Sequence, residues 1–301
     1  MNDKIRDIHE MPLQIKLNYS RILSLMATVD RDHNQLKIGA FYRIMNKIKL
    51  PATERVDLLK QMMQKRISFE EFSKELQLEN QLNDQERNIF RFSLMKDLII
   101  IMNADYVITE GEERLIEQIQ NYFNISEEQF SFFQEEYEMD CSILESGAEN
   151  DQLKEIGKKS MAAAASLGIP LGLLYYSGNF RGLGCLGALS GLKAIGMKKK
   201  TKKHALVVGL AGTIALGMIT YKAVDYLLSI KKDERTNLWN ITKESMERLH
   251  QETIDNIYSD MDYFHDEVLN HKEKEADIAR RALDILRRTV ATLENTGAII
   301  L

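Results

Sequence analysis

Proline is almost missing from this 301-residue chain, which holds three: Pro12, Pro51 and Pro170. Alternating β-branched runs are equally scarce, so an almost entirely helical protein is expected. The two cysteines, Cys141 and Cys185, fall in different segments and form no CxxC or Cys/His metal pattern. A reducing, cytosolic setting for most of the chain follows. The N-terminal stretch is charged and has no apolar run, so no signal peptide is expected. The sequence also lacks a Gly-rich phosphate loop before a basic Ser/Thr, a nucleophile elbow, an HExxH pair and a paired-carboxylate site. Neither an enzyme nor a cofactor, metal or small-molecule substrate is therefore expected.

Charge is present but unevenly distributed. The net charge of −5 divides into +4 over 1–75, −14 over 76–157, +11 over 158–232 and −6 over 233–301. Hydrophobic patterning changes at the same places, so these four segments are read as domains. They are a basic helical repeat, an acidic helical repeat, a Gly-rich membrane block and a C-terminal amphipathic helix.

The first two segments contain one unit twice. At an offset of 75 residues, Leu23 aligns with Leu98, Asp30 with Asp105, Ile44 with Ile119 and Leu50 with Ile125, without a gap. Each copy reads as an apolar helix, an acidic turn, an amphipathic helix and a further helix. Pro51 is expected at a first helical position and Ser126 at an N-cap. Two copies fit either a pair of small bundles or one pseudo-symmetric bundle. The second copy, with Ala104-Asp105, Glu112-Glu113 and Ile125-Ser126-Glu127-Glu128, resembles the TerB-like helical domain. That domain is named for tellurite-resistance proteins and also stands at the N-terminus of DjlA-type membrane co-chaperones. Tyr106 follows the Asp where the family usually has Gly. The likeness is clear over about residues 90–140 and loosely repeated over 15–65.

The acidic turns are not calcium loops. Asp30, Asp32 and Asn34 mimic the first ligands, but Gln35 and Phe41 stand where Gly and Glu are needed. Helix capping and dipole compensation account for them better. The first copy carries a basic strip, Tyr42, Arg43, Lys47, Lys49 and Arg55, continuing to Lys60, Lys65 and Arg66. Three readings stand: a solvated face, a lobe or subunit contact, or a site for an anionic ligand such as single-stranded nucleic acid, with Tyr42 stacking on a base.

Met161 to Phe180 is free of charge, and so is Ala205 to Tyr221. A bilayer core of about 30 Å needs about 20 apolar helical residues to cross. Gly168/Gly172 and Gly187/Gly191 form small-xxx-small pairs, and Gly209 and Gly212 add small positions, as tight helix packing in lipid requires. Two crossings with both tails cytoplasmic are expected, although the run Lys198–Lys203 conflicts with simple topologies. A soluble Gly-rich core, or a stored hairpin inserted on a trigger, are the alternatives.

From Asp233 the chain reads as one or two long helices. Ile254, Ile257, Met261, Phe264 and Val268 keep a 3–4 spacing, resumed by Ala279, Leu283, Leu286, Val290 and Leu293 after a register change near Glu273. This stripe either joins copies into a homo-oligomer or packs on the N-terminal bundle. His250, His265 and His271 are read as solvated.

The expected fold class is therefore all-α: tandem helical bundle repeats, Gly-rich transmembrane helices and a long C-terminal helix. The expected function is non-enzymatic. An oligomer in the bacterial inner membrane would use a cytosolic sensor to control a membrane element in contact with the lipid bilayer, as a gated pore or ion channel of stress or antiviral defence. In domain order this layout is similar to anti-phage membrane effectors of the Hailong type, held in check by a short single-stranded DNA. The alternative is a membrane-anchored scaffold for envelope stress that recruits partners through its TerB-like lobes.

Overall fold

The computed structural model describes residues 8–30, 33–64, 68–76, 81–146, 163, 166–169, 232–270 and 273–300. After a short 3-10 turn (Ile8–Glu10), these contain α1 (Leu13–Thr28), α2 (Gln35–Lys47), α3 (Ala52–Gln64), α4 (Phe69–Ser73), α5 (Asp84–Met102), α6 (Glu110–Phe123), α7 (Glu127–Ser146), α8 (Lys232–Asn270) and α9 (Glu273–Ile300). No strand occurs among the described residues.

The 75-residue repeat is a repeat of local structure. Asn34 caps α2 and its counterpart Thr109 caps α6, the first accepting from the Leu36 N–H and the second from the Glu112 N–H. Both helices end on a left-handed residue, Lys49 (φ 54) and Asn124 (φ 51), again one offset apart. Past each, an N–H returns five residues, Leu50 to the Met45 carbonyl at 3.0 Å and Ile125 to the Gln120 carbonyl at 2.9 Å. These returns satisfy carbonyls that a helix end leaves bare. α3 and α7 then start at Ala52 and Glu127, also one offset apart. Ser126 caps α7, accepting from the Gln129 N–H at 3.2 Å. Pro51 stands one residue before α3, its carbonyl accepting from the Arg55 N–H at 3.1 Å.

The two copies form one bundle rather than two lobes. α1 packs on α5, α2 packs on both, and α5 carries α6 and α7. α5 is buried almost throughout, from Ile89 to Met102, which makes it the central helix. The acidic turns meet at the seam between copies. Asp30, Asp105 and Glu112 surround the buried Lys37 Nζ at 3.3, 3.1 and 2.7 Å. Lys37 and Glu112 are themselves one offset apart, so the repeat carries opposite charges at equivalent positions and pairs them. Burial alone would lower the Lys37 ammonium, but the Glu112 and Asp105 carboxylates outweigh it and raise it. Glu112 is raised by its own burial, with Lys37 pulling the other way. Thr109 Oγ1 also donates to Asp30 at 2.6 Å. Among the described residues no His, Cys, Asp or Glu group is arranged to hold a metal.

α8 and α9 form a hairpin that lies on α2 and α3. Ile254, Ile257 and Phe264 of α8, and Ala279, Leu283, Leu286, Val290 and Leu293 of α9, are buried in the same apolar core as the bundle, with Met261 and Val268 packed against it. The stripe weighed above as a seam between copies is thus occupied within one chain. Gly39 of α2 permits the close approach, since a Cβ there would meet Leu293 Cδ2 at 3.3 Å.

The first residues of the Gly-rich block belong to this body too. The Leu167 N–H bonds to the Ala163 carbonyl at 3.0 Å, Gly168 is left-handed (φ +66), and Ile169 is 1% exposed in the core. Gly168 ends a helical turn here, so a helix does not run unbroken through this position. A Cβ on Gly168 would meet nothing within 4 Å, so its glycine answers a backbone need at this point. No helix among the described residues is long and apolar enough to cross a membrane. Gly172, Gly187, Gly191, Gly209, Gly212 and the run 198–203 lie outside the described residues.

Replacing Lys37 with Met leaves three carboxylates around a site without counter-charge. Stripping one partner from a buried ion pair costs about 3–5 kcal/mol, and urea unfolding at pH 7 should show that loss. Glu112, with its folded pKa raised, adds stability that is present at low pH and lost as pH rises through that value. The variant should therefore recover part of the loss at pH 5; equal deficits at both pH values would refute the account.

Candidate functional site: the polar junction with the C-terminal hairpin

Four of the five residues proposed for an anionic ligand are in buried or half-buried ion pairs and hydrogen bonds, three of them at the junction between the bundle and the hairpin. Arg55 donates from Nε to Asp260 Oδ2 at 3.0 Å and from Nη2 to Oδ1 at 2.7 Å. Its Nη1 is held by the Leu50 carbonyl at 3.1 Å. Tyr42 donates to the same Asp260 Oδ2 at 3.0 Å. A planar guanidinium fork matched to a carboxylate gives a fixed geometry as well as attraction. Burial raises Asp260, opposed by Arg55 and Tyr42. Burial, then the Asp260 charge, raises the Tyr42 hydroxyl well above its ordinary value.

Arg43 is 1% exposed, and its Nη2 lies 3.2 Å from His250 Nδ1. A guanidinium can only donate, so Nδ1 must be the unprotonated nitrogen of a neutral ring. Burial first, then the Arg43 charge, lowers His250 to about 4. His250 is thus a buried junction residue, correcting its reading as solvated, whereas His265 is exposed. Asn46 Nδ2 reaches the Leu249 carbonyl and Thr253 Oγ1, both at 3.4 Å, and Asn46 Oδ1 accepts from Asn256 at 3.0 Å. At the rim, Lys60 donates to Tyr263 at 2.8 Å and pairs with Glu267 at 3.2 Å.

The other two strip residues are elsewhere. Lys47 bonds Asp97 of α5 at 3.3 Å, and Asp97 also accepts from Tyr19 at 2.7 Å. Lys49 is exposed, and its carbonyl accepts from Lys16. The structure therefore joins Tyr42 and Arg55 in one cluster, sets Arg43 beside it, and separates Lys47 and Lys49.

Asp260 escaped the sequence reading and His250 was misread as solvated, though one signal was available. Asp260 falls three residues after Ile257 and four before Phe264, on the apolar face of its helix, and His250 stands four before Ile254 on that same face. A charge on a buried stripe calls for a partner.

Two measurements bear on the junction. Asp260→Ala should cost about 3–5 kcal/mol because it leaves Arg55 buried and unpaired. The double variant Arg55→Met with Asp260→Leu should be less destabilised than the sum of the two single changes; additivity would mean that the pair is not coupled. Separately, His250, with its folded pKa depressed, contributes stability that is present above pH 6.5 and lost as pH falls toward about 4. The full loss is about 3 kcal/mol. His250→Gln should flatten stability over that range, as followed by chemical unfolding.

The family model described as Tellurite resistance protein TerB matches residues 17–134, from within α1 to within α7. No curated protein and no solved structure matches the chain. The hairpin that covers Tyr42, Arg43 and Arg55 lies outside the matched segment. Residues 17–134 of this chain are a TerB domain, built as a pseudo-symmetric helical repeat around Lys37.

Proposed function

We propose that this chain is a non-enzymatic bacterial membrane protein whose TerB domain and C-terminal hairpin form a cytosolic control module for the Gly-rich block. Copies would assemble through that block into a gated pore or ion channel serving stress or antiviral defence. The observation that carries this reading is the double attachment of the block. Its first residues end in Ile169, buried in the bundle core, and the chain returns from it as α8, buried on α2 and α3. A module that grips both ends of an apolar segment can restrain or release it.

An anionic ligand such as single-stranded DNA enters the reading as a signal. Tyr42, Arg43 and Arg55 are covered by α8, so such a ligand would reach them only when the hairpin lifts. A second reading is a stress-response scaffold that recruits partners through the TerB domain, with the block only an anchor.

Conductance separates the two. Full-length protein reconstituted in a planar bilayer should pass ion current, and Gly187→Leu or Gly191→Leu should abolish it by blocking close helix approach. A bilayer that stays silent with and without oligonucleotide, while the protein is inserted, would leave the scaffold.

A further inference from the structure

We infer that the face made by α2 and α3 is a recognition surface for an amphipathic helix that carries a carboxylate within its apolar stripe. α8 is its resident ligand, and a helix of the same chemistry on a partner protein displaces the hairpin. This rests on the part of the reading above in which the hairpin lifts, and not on the membrane block.

α2 has two unlike sides. Residues three and four apart share one side of a helix. Ile38, Phe41, Ile44 and Met45 are buried on one side of α2, a helix on which α1 and α5 pack. About half a turn away stand Gly39, Tyr42, Arg43 and Asn46, and all four lie against the hairpin. Gly39 faces Thr289 and Leu293, Tyr42 bonds Asp260, Arg43 meets His250, and Asn46 meets Leu249, Thr253 and Asn256. From α3, Arg55 and Lys60 pair with Asp260 and Glu267. The covered side thus has the composition of a surface, basic and rich in hydrogen-bonding groups. A permanent core has no need of such groups, since exchanging a buried ion pair for packed apolar side chains is often neutral or stabilising. What they supply is selectivity, and a face that water can solvate when the hairpin leaves. The family match ends at residue 134, so α2 and α3 belong to the TerB domain and the hairpin is additional to it.

The same contacts state what the surface accepts. A helix lying in a groove is read through anchors spaced three and four apart. On α8 these are Ile254, Ile257 and Phe264, buried, with Asp260 set three after the second and four before the third. The Arg55 fork and Tyr42 fix where along the helix the carboxylate must stand. Lys60 takes a second acid, Glu267, seven residues further on. Arg43, Arg55 and Lys60 make the surface select an acidic helix over a basic one.

The test uses full-length protein with Cys141→Ser, Cys185→Ser and Gly39→Cys. The probe is a synthetic peptide of residues 247–295 carrying Leu293→Cys, the residue that faces Gly39. The resident hairpin competes from within the chain, so the probe is supplied in excess. Under mild oxidation a protein–peptide disulfide should accumulate as the probe concentration rises. A probe that also carries Asp260→Ala should link at least tenfold more slowly, whereas Asp262→Ala, which removes an exposed acid, should link as the unmodified probe does. Equal rates for all three probes overturn the carboxylate requirement. Full-length protein with both Gly39→Cys and Leu293→Cys should close within one chain. If it closes while no probe links, the hairpin does not exchange and the inference fails. Disulfide dimers formed between Gly39→Cys chains and Leu293→Cys chains without probe would make a second copy the occupant, and an oligothymidylate that blocks the link would make nucleic acid the ligand; either result overturns the inference. A bilayer that stays silent bears on the pore and leaves these outcomes untouched.

Discussion

A charged group taken out of water must bring a partner with it, and that constraint organises this molecule. The effective penalty is several kcal/mol per ion, and the buried charges here are spent where units meet. Lys37 with Asp30, Asp105 and Glu112 joins the two copies of the repeat. Lys96 with Glu136 joins α5 to α7 at 3.5 Å. Arg55 with Asp260 joins the TerB domain to the hairpin. Apolar packing supplies most of the driving force at each seam, but it tolerates sliding. A bidentate guanidinium or an ammonium held by three carboxylates does not, so these pairs set the register in which the apolar faces meet.

The repeat shows how the Lys37 site arises from sequence. Equivalent turns place Asp30 and Asp105 symmetrically about the seam, and the next equivalent pair would set like charges together if both copies kept an acid. Lys37 in place of an acid opposite Glu112 breaks the symmetry and neutralises part of the cluster from within. The left-handed Lys49 and Asn124 mark the same symmetry at the far end of α2 and α6. Neither is glycine, and both positions are held by returning N–H bonds that compensate the cost of a positive φ.

The helices, their caps and the 75-residue offset were legible because they depend on residues close in sequence. The Ser126 cap and the 3–4 spacing of α8 and α9 are local signals of this kind. The junction was not legible, for a physical reason. Tyr42, Arg43 and Arg55 read as a basic strip because their partners, His250 and Asp260, lie more than 200 residues away. A lone charge on a helix is far more often solvated than buried, and only the position of Asp260 on an apolar stripe argued otherwise. The opening of the Gly-rich block misled differently. Hydropathy measures avoidance of water, which a protein core and a lipid core reward alike, so Leu167 and Ile169 read as membrane residues although they pack on the bundle.

The folded body is therefore discontinuous in sequence, made from the TerB domain, the short anchor ending at Ile169 and the hairpin. Between anchor and hairpin lie residues 170–231, the most basic and glycine-rich part of the chain. The entropic cost of closing such a loop grows only logarithmically with its length, by about 0.6 kcal/mol per doubling. A long inserted segment is thus compatible with a stable body, provided that the contacts at its two ends outlast whatever the segment does. Those contacts are unlike in kind. Among the described residues the exit holds through buried Ile169, through Ala163 and Leu167 packed on the core and through the Gln129–Leu167 hydrogen bond, whereas the return holds through two paired ionic or polar clusters and a broad apolar face. The hairpin thus meets the bundle through a broader and more polar contact than the described residues of the exit do.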